Sequence, residues 1–166
     1  MPEQTVWRGT SSQRKNFGTY FLWTLVFGLF VSLSVVCSEV TDARIAKRGP
    51  YILLLLIVPI FMVLTHYLKT KNKVYELTTE RLKTTEGVFS KVTDTLELYR
   101  VKDLEKRQPF FYRLVGVENV ALNTSDASSP FILIEAIPSS VGVADKIRNQ
   151  VEAVRAQKGV REIDVE

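Results

Sequence analysis

Two long apolar runs occupy the first part of the chain, and short segments of alternating polar and apolar residues follow them. Residues 17–36 and residues 51–68 contain no Asp, Glu, Lys or Arg. Eighteen helical residues extend about 27 Å, close to the hydrocarbon thickness of a bilayer of about 30 Å. A buried helix of a small soluble domain would show a polar face, which the second run lacks until Thr65. We therefore predict two transmembrane helices, 17–36 and 51–68, joined into a hairpin by the polar loop 37–49.

The first run has a second interpretation as a signal peptide, because Arg14 and Lys15 precede it and residues 36–38 loosely fit a cleavage site. The apolar core of a signal peptide has about 7 to 15 residues, whereas this run has twenty. A retained helix is therefore favoured, and Cys37 is interpreted as a bystander at its end. Six Lys or Arg residues flank the hairpin and three lie in its loop, which favours both chain termini in the cytoplasm.

Three features inside the apolar runs have a structural and a functional interpretation. Thr24, Gly28 and Ser32 recur every four residues, a pattern that lets another helix approach closely. This stripe packs either against the second span or against a second copy of the chain, and the sequence leaves both open. Pro59 predicts a kink in the second span. His66 has no acidic partner in the span and is interpreted as an interfacial residue, not a metal ligand or proton relay.

The sixteen residues before the first run are polar, with Trp7 beside Arg8 and then Arg14 and Lys15. An aromatic residue followed by bases next to an apolar run is typical of a membrane interface. We predict that residues 1–16 form an interfacial segment, and a docking peptide for another protein is the alternative.

Beyond Lys73 the pattern predicts a mainly-β domain, residues 69–166, that ends in a helix. The predicted strands are 73–78, 81–87, 88–93, 95–101, 117–122 and 131–137, with a turn at 123–130. The last of these strands is the most apolar and is predicted to be central. A helix should start at residues 138–140 and stop at Gly159, with Val143, Ile147, Val151 and Val154 on one face. Residues 160–166 could add an edge strand or simply trail.

Composition excludes several kinds of function. The net charge of +4 lies mainly around the apolar runs, since residues 69–166 contain 16 Lys and Arg against 15 Asp and Glu. Nucleic-acid binding would require a basic face on the folded domain. One cysteine and one histidine exclude a disulfide framework and a multi-His or Cys-based metal site. No nucleophile with a base and no phosphate-binding loop is recognisable, so we expect no enzyme activity, no cofactor and no nucleic-acid partner.

Several strings in order and at consistent spacing resemble the bacterial pleckstrin-homology (PH) domain membrane proteins. They are VWRG at 6–9, YELTTERLKTTEG at 75–87, YRVKDL at 99–104, RLVGVENV at 113–120 and the helix start at 137–148. The resemblance implies two transmembrane helices and a PH-like antiparallel β sandwich or barrel, usually of seven strands, capped by a C-terminal α-helix. It also implies a binding or assembly module at the bacterial inner membrane.

Some eukaryotic PH domains bind lipid headgroups through bases in the loop between the first two strands. Here the corresponding turn is Thr78, Thr79 and Glu80, with Arg81 and Lys83 beyond it and acidic residues nearby. Several phosphates require several convergent Lys or Arg side chains. Specific phosphoinositide binding is therefore disfavoured.

One stretch of the domain stands out as a candidate interaction surface. Its residues are Lys106, Arg107, Phe110, Phe111, Tyr112 and Arg113. Three consecutive aromatic residues cannot all face one core from a strand, because neighbours point to opposite sides. The stretch is therefore a contact surface for the bilayer or for another protomer, or a short helical turn whose aromatic side chains cover the end of the barrel.

Taken together, the sequence favours a non-catalytic scaffold or protein-interaction module, working as a homo-oligomer or with a membrane protein partner. A subunit of a pore or transport complex is a second hypothesis, although the spans offer few polar residues for an aqueous path. A sensor of membrane lipid is the third.

Overall fold

The computed structural model describes residues 3–39, 51 and 54–159. It divides into two compact units, Met1–Lys15 with Lys69–Glu166 and, separately, Asn16–Leu68. We refer to the first as the β unit and to the second as the apolar helices. The predicted loop 37–49 lies outside the described residues except for its first three, and the tail 160–166 lies wholly outside them.

The β unit consists of two antiparallel sheets and two helices. A four-stranded sheet has the order β1-β2-β3-β4, and a three-stranded sheet has the order β5-β6-β7. The strands are β1 Thr5–Thr10, β2 Val74–Thr78, β3 Arg81–Glu86, β4 Val92–Glu97, β5 Val101–Arg107, β6 Val117–Thr124 and β7 Phe131–Pro138. The described residues thus contain the seven strands and two sheets that the resemblance implies.

The first strand of the sandwich comes from the N-terminal segment, which the sequence analysis had placed apart from the domain. Residues Thr5–Thr10 pair with β2, with Trp7 opposite Leu77 and Thr10 opposite Val74. The prediction of a separate interfacial segment at 1–16 is therefore corrected, because this edge strand completes the sheet. Trp7 is half-buried and packs against the core.

Three strand predictions between residues 88 and 137 were wrong in their details. Residues 88–91 form a turn, β4 runs from Val92 to Glu97, and β5 was missed. Gly87 has φ +126°, and a Cβ there would overlap the carbonyl oxygen of Ser90, so this glycine is required for the turn. The central strand of the second sheet is β6, whereas β7 is an edge strand. The polar residues of β6, including the fully buried Glu118, had concealed its central position.

The C-terminal helix closes the sandwich as predicted, although it starts later. It runs from Val143 to Lys158, after a single 3₁₀ turn at Ser139–Val141, and Gly159 caps its end in the left-handed conformation. The predicted apolar face is confirmed, since Val143, Ile147, Val151 and Val154 are all buried in the core. The helices are numbered in chain order, so this one is α4, and the short helix Phe110–Leu114 between β5 and β6 is α3. Helices α1 and α2 precede the strand β2.

The other two helices are α1, Phe17–Glu39, in the apolar unit, and α2, Ile57–Lys71, whose last three residues belong to the β unit. Among the described residues one helical segment, Gln13–Cys37, is long and apolar enough to cross a membrane, with a mean hydropathy of 2.1. Within the second predicted span Tyr51 and Leu54 are helical, residues 55–56 form a turn, and α2 starts at Ile57. The helix is therefore interrupted just before Pro59, which has no N–H for the Leu55 carbonyl; the Val58 N–H donates to that carbonyl at 3.1 Å. This interruption is consistent with the predicted kink at Pro59.

Candidate functional site

Both connections between the β unit and the apolar helices leave from one end of the sandwich. The Ser11 hydroxyl donates to the Glu135 carbonyl at 2.8 Å, and the Ser12 N–H donates to the Ala136 carbonyl at 2.9 Å. The end of β1 therefore lies against the end of β7, and β1 also ends opposite the start of β2 at Val74. We call this the junction end. The opposite end, with the β2–β3 and β6–β7 turns, is the distal end.

A single carboxylate links both connections at the junction end. Lys15, the last residue before the apolar helices, lies 2.9 Å from Glu135 Oε2, and Lys73, just before β2, lies 3.4 Å from the same oxygen. The side chain of Glu135 is 31% exposed and those of Lys15 and Lys73 are 18% and 21% exposed. Burial alone raises the pKa of the Glu135 carboxyl, but the hydrogen bonds and charges of the two lysines outweigh it and lower that pKa below 4.5.

Hydrogen bonds from the strands hold the backbone around Glu135 in place. The hydroxyl of the buried Tyr75 accepts from the Glu135 N–H at 3.0 Å. Burial raises the pKa of this phenol above its ordinary value, so the hydroxyl stays protonated and available to donate. Ala136 has φ +50°, an unusual conformation for a non-glycine residue, and its N–H donates to the Asn119 side chain at 2.8 Å. Such strain persists only where surrounding contacts over-determine it.

The aromatic helix α3 also belongs to the junction end. Arg14 donates from Nη1 to the Val115 carbonyl at 2.6 Å, directly after α3. Phe110 and Phe111 pack edge to face, with ring centroids 5.6 Å apart, and are 69% and 75% exposed. Tyr112 is half-buried, and its pKa is raised first by burial and then by the charge of Glu135. The predicted helical turn is thus present, but it exposes two of its three aromatic rings instead of covering the barrel with them.

A further exposed apolar side chain, Phe89, projects from the β3–β4 turn. Phe89 is fully exposed, and its turn lies beside the first residue of β2, because Val74 pairs with Thr85 and Glu86 pairs with Val92. The β3–β4 turn is therefore also at the junction end. Phe89 was not among the predicted contact residues because residues 88–93 were predicted to form a strand, although Gly87 and Ser90 are turn signals.

The basic residues of the predicted surface are engaged elsewhere. Lys106 Nζ lies 2.6 Å from Oε2 of the buried Glu118, and Arg107 pairs with Glu105 at 2.6 Å. Both lie in β5 and form pairs with strand residues, whereas Arg113 is exposed in α3 beside the aromatic rings. The six residues predicted as one surface therefore fall into two groups, the aromatic helix and the ion-paired strand.

A groove runs between the edge strand β5 and helix α4. Its volume is about 340 Å³, and its lining includes Lys102 and Leu104 from the strand and Arg148 and Val151 from the helix. In the described part of the chain no strand pairs with the outer edge of β5. Arg155 donates to the Val101 carbonyl at 2.6 Å and closes the distal end of this edge. Further along this edge the Leu104 N–H donates to the Asp103 side chain at 2.8 Å, so an added strand would replace this bond beside the apolar floor of the groove.

The turn that corresponds to a phosphoinositide loop lies at the distal end. The Thr78 hydroxyl accepts from the Arg81 N–H at 2.9 Å and closes the turn. The nearby bases are already paired, since Arg81 and Lys83 lie 3.7 and 3.9 Å from the carboxylate of Glu3. No group of three His, Cys, Asp or Glu side chains among the described residues could hold a metal ion.

The small residues of α1 are not closely packed in the described structure. Gly28 and Ser32 are exposed, and a Cβ added to Gly28 would meet no atom within 4 Å. Thr24 instead lines an open apolar groove of about 520 Å³ between α1 and α2, together with Phe27 and Pro59. The Thr24 hydroxyl donates to the Tyr20 carbonyl at 2.8 Å within its own helix.

The fold and this geometry agree with the comparison to known proteins. The sequence model of the bacterial PH domain matches residues 25–156. Searches of curated proteins and of solved structures gave no match. Since the match covers more than half of the chain, the chain belongs to the bacterial PH domain family.

Proposed function

We propose that this protein is an integral membrane protein of the bacterial inner membrane whose cytoplasmic PH domain works as a non-catalytic interaction and assembly module. A PH domain is a lipid- or protein-interaction module, so the family supports binding over chemistry. Two features define how this module works: its anchor and its exposed strand edge.

The anchor is the hairpin of α1 and the second apolar run. The helical segment Gln13–Cys37 is long enough to span a bilayer, and residues 51–68 are free of charged side chains except for His66. Both connections reach the junction end of the domain, where Glu135 pairs with Lys15 and Lys73. One carboxylate thereby fixes both tethers to the same sheet, which holds the domain at the membrane surface.

The observation that carries the binding role is the groove beside the outer edge of β5. An unpaired strand edge can accept an extended segment of a partner as an additional strand, with backbone hydrogen bonds for affinity and side-chain pockets for specificity. Leu104 and Val151 provide an apolar floor, and Lys102 and Arg148 provide charge at the rim. The partner is therefore an extended peptide segment of another protein or of a second copy of this chain.

Site-specific photo-crosslinking in intact cells tests this role. A photoreactive amino acid at Lys102 should give a covalent adduct with one defined partner, and the double change Lys102→Glu with Arg148→Glu should abolish co-purification of that partner. Thr93 on β4 is exposed on the other sheet and serves as the matched control position. Equal adducts at positions 102 and 93, or unchanged co-purification by the double variant, would refute the β5 groove as the binding surface.

A further inference from the structure

Four large apolar side chains are exposed at the junction end of the domain, one in the β3–β4 turn and three in helix α3. Phe89 is 102% exposed in the β3–β4 turn, and Phe110, Phe111 and Leu114 of α3 are 69%, 75% and 69% exposed. Single exposed apolar residues are common on protein surfaces, but a cluster at one end of a small domain marks an interaction site.

The chain itself determines what lies beside this end. Lys15 directly precedes the unit of apolar helices, and the β unit resumes at Lys69, directly after that unit ends at Leu68. The five residues 69–73 would reach at most about 18 Å even if they were fully extended. Both chain connections to the apolar helices therefore leave from the end of the domain that also carries Phe89 and α3.

The charge of the same segments fits an anionic membrane surface. Residues 11–15, 69–73, 87–91 and 108–116 together contain seven Lys and Arg. Lys15 and Lys73 are turned to Glu135 and Arg14 bonds the Val115 carbonyl. The exposed cations of these segments are Lys69, Lys71, Lys91 and Arg113. None of these four segments contains Asp or Glu. Apolar side chains surrounded by cations are the arrangement by which peripheral segments lie in the headgroup region of anionic bilayers.

We propose that Phe89 and the exposed face of α3 insert into the headgroup and upper acyl region of the membrane, so that the domain docks on lipid through its junction end. This inference rests on the proposed function, because it requires that the apolar helices span the bilayer. It adds a lipid contact that is separate from the β5 groove, and it leaves the groove and the distal end facing the cytoplasm. The proposed ligand is the bilayer interface with its anionic headgroups, and no single headgroup is bound in a specific pocket.

Fluorescence quenching by brominated lipids tests the proposal with the full chain. Cys37→Ser removes the native thiol, and single cysteines are then placed at Phe89, Phe111, Leu25 or Ala127 and labelled with one environment-sensitive fluorophore. Leu25 lies within α1 and reports on the anchor, whereas Ala127 lies in the exposed β6–β7 turn at the distal end and carries the same label as the matched control. The proteins are reconstituted in liposomes of phosphatidylcholine and phosphatidylglycerol with bromine high or low on the acyl chains.

The labels at positions 89 and 111 should shift their emission to the blue and lose most intensity with bromine high on the chains. The label at 25 should be quenched most by bromine low on the acyl chains, near the bilayer centre. The label at 127 should not be quenched by bromine at either position. If the label at 25 is quenched but the labels at 89 and 111 emit like the label at 127, the docking is refuted and the membrane anchor is still supported. A blue shift at 111 without quenching would show a protein contact, such as a second copy, and would also overturn it. Absence of quenching at 25 would refute the anchor itself.

Discussion

Replacing the carboxylate at the junction end should weaken the domain more than replacing an exposed carboxylate. The substitution Glu135→Gln keeps the size of the side chain but removes the charge that Lys15 and Lys73 share at 2.9 and 3.4 Å. Two ammonium groups that are about four-fifths buried then lose their common partner. The effect is therefore a desolvation cost as well as a lost attraction.

The burial of the three groups sets the size of the effect. Exposed ion pairs contribute about 0–1 kcal/mol, and breaking a fully buried pair costs about 3–5 kcal/mol. The Glu135 cluster lies between these limits, with side-chain exposures of 18%, 21% and 31%. We expect Glu135→Gln to lower the free energy of unfolding by about 2 kcal/mol, which corresponds to about 8 °C in the melting temperature of a domain of this size.

Urea unfolding of the full chain in detergent, followed by the fluorescence of Trp7 in a Trp23→Phe background, measures this difference. Glu105→Gln is the matched control, since Glu105 pairs with Arg107 at a similar distance but both side chains are about half exposed. The control should change stability clearly less than Glu135→Gln does, because solvent screens an exposed ion pair. Equal losses in the two variants would refute the reasoning that Glu135 is the structural link between the tethers.

The stability difference between the wild type and Glu135→Gln should also depend on pH. Because the lysines lower the pKa of Glu135 below its ordinary 4.5 in the folded state, its contribution is complete above pH 4.5 and is lost as pH falls through the folded-state pKa. The stability difference between wild type and Glu135→Gln should be constant from neutral pH to about pH 5 and should shrink below 4.5. A difference that persists unchanged at pH 3 would contradict the assigned role of the charge.

Three further substitutions test the packing of the β unit. Lys106→Met leaves the buried Glu118 without its 2.6 Å partner; because the Lys106 side chain is 52% exposed, the cost in urea unfolding should be about 1–2 kcal/mol, below that of a fully buried pair. Ile147→Ala removes a fully buried side chain from α4 and should cost about 3 kcal/mol in the same assay. Gly9→Ala places a Cβ against the Trp7 indole and should cost about 1–3 kcal/mol with a changed Trp7 emission spectrum.

Each of these substitutions has a control in the same element or of the same kind. Lys102→Met removes an exposed lysine of β5, and Arg148→Ala truncates an exposed side chain of α4. Gly18→Ala adds a methyl group that meets no atom within 4 Å. All three should stay within about 0.5 kcal/mol of the wild type, and a control as damaging as its partner variant would contradict the packing described.

The elements that could be predicted from sequence are those with local periodic signals. The apolar face of α4 repeats at helical spacing and ends at Gly159, so both its existence and its buried side chains were predictable. Helix α1 was equally predictable, because its sequence is a continuous apolar run. The arrangement of the strands in two sheets was predicted only by the resemblance to bacterial PH domains, because no local sequence signal specifies which strands pair.

The parts that could not be predicted depend on contacts between distant residues. The strand β1 pairs Trp7 with Leu77, seventy positions away, across the whole stretch of the apolar helices. Glu135 interrupts an apolar strand, which indicates that this carboxylate has a partner, but the sequence does not specify which residues those are. The partner residues, Lys15 and Lys73, are adjacent to it only because the folded sheets bring both tethers together.

The central claim is that the chain crosses the membrane twice and holds its PH domain on the cytoplasmic face. Labelling of intact spheroplasts with a membrane-impermeant thiol reagent, in a Cys37→Ser background, tests it most directly. A cysteine at Ile45, between the two apolar runs, should react from outside, and a cysteine at Ala127 should react only after the membrane is permeabilised. Reaction of both positions from outside, or of neither, would contradict the account.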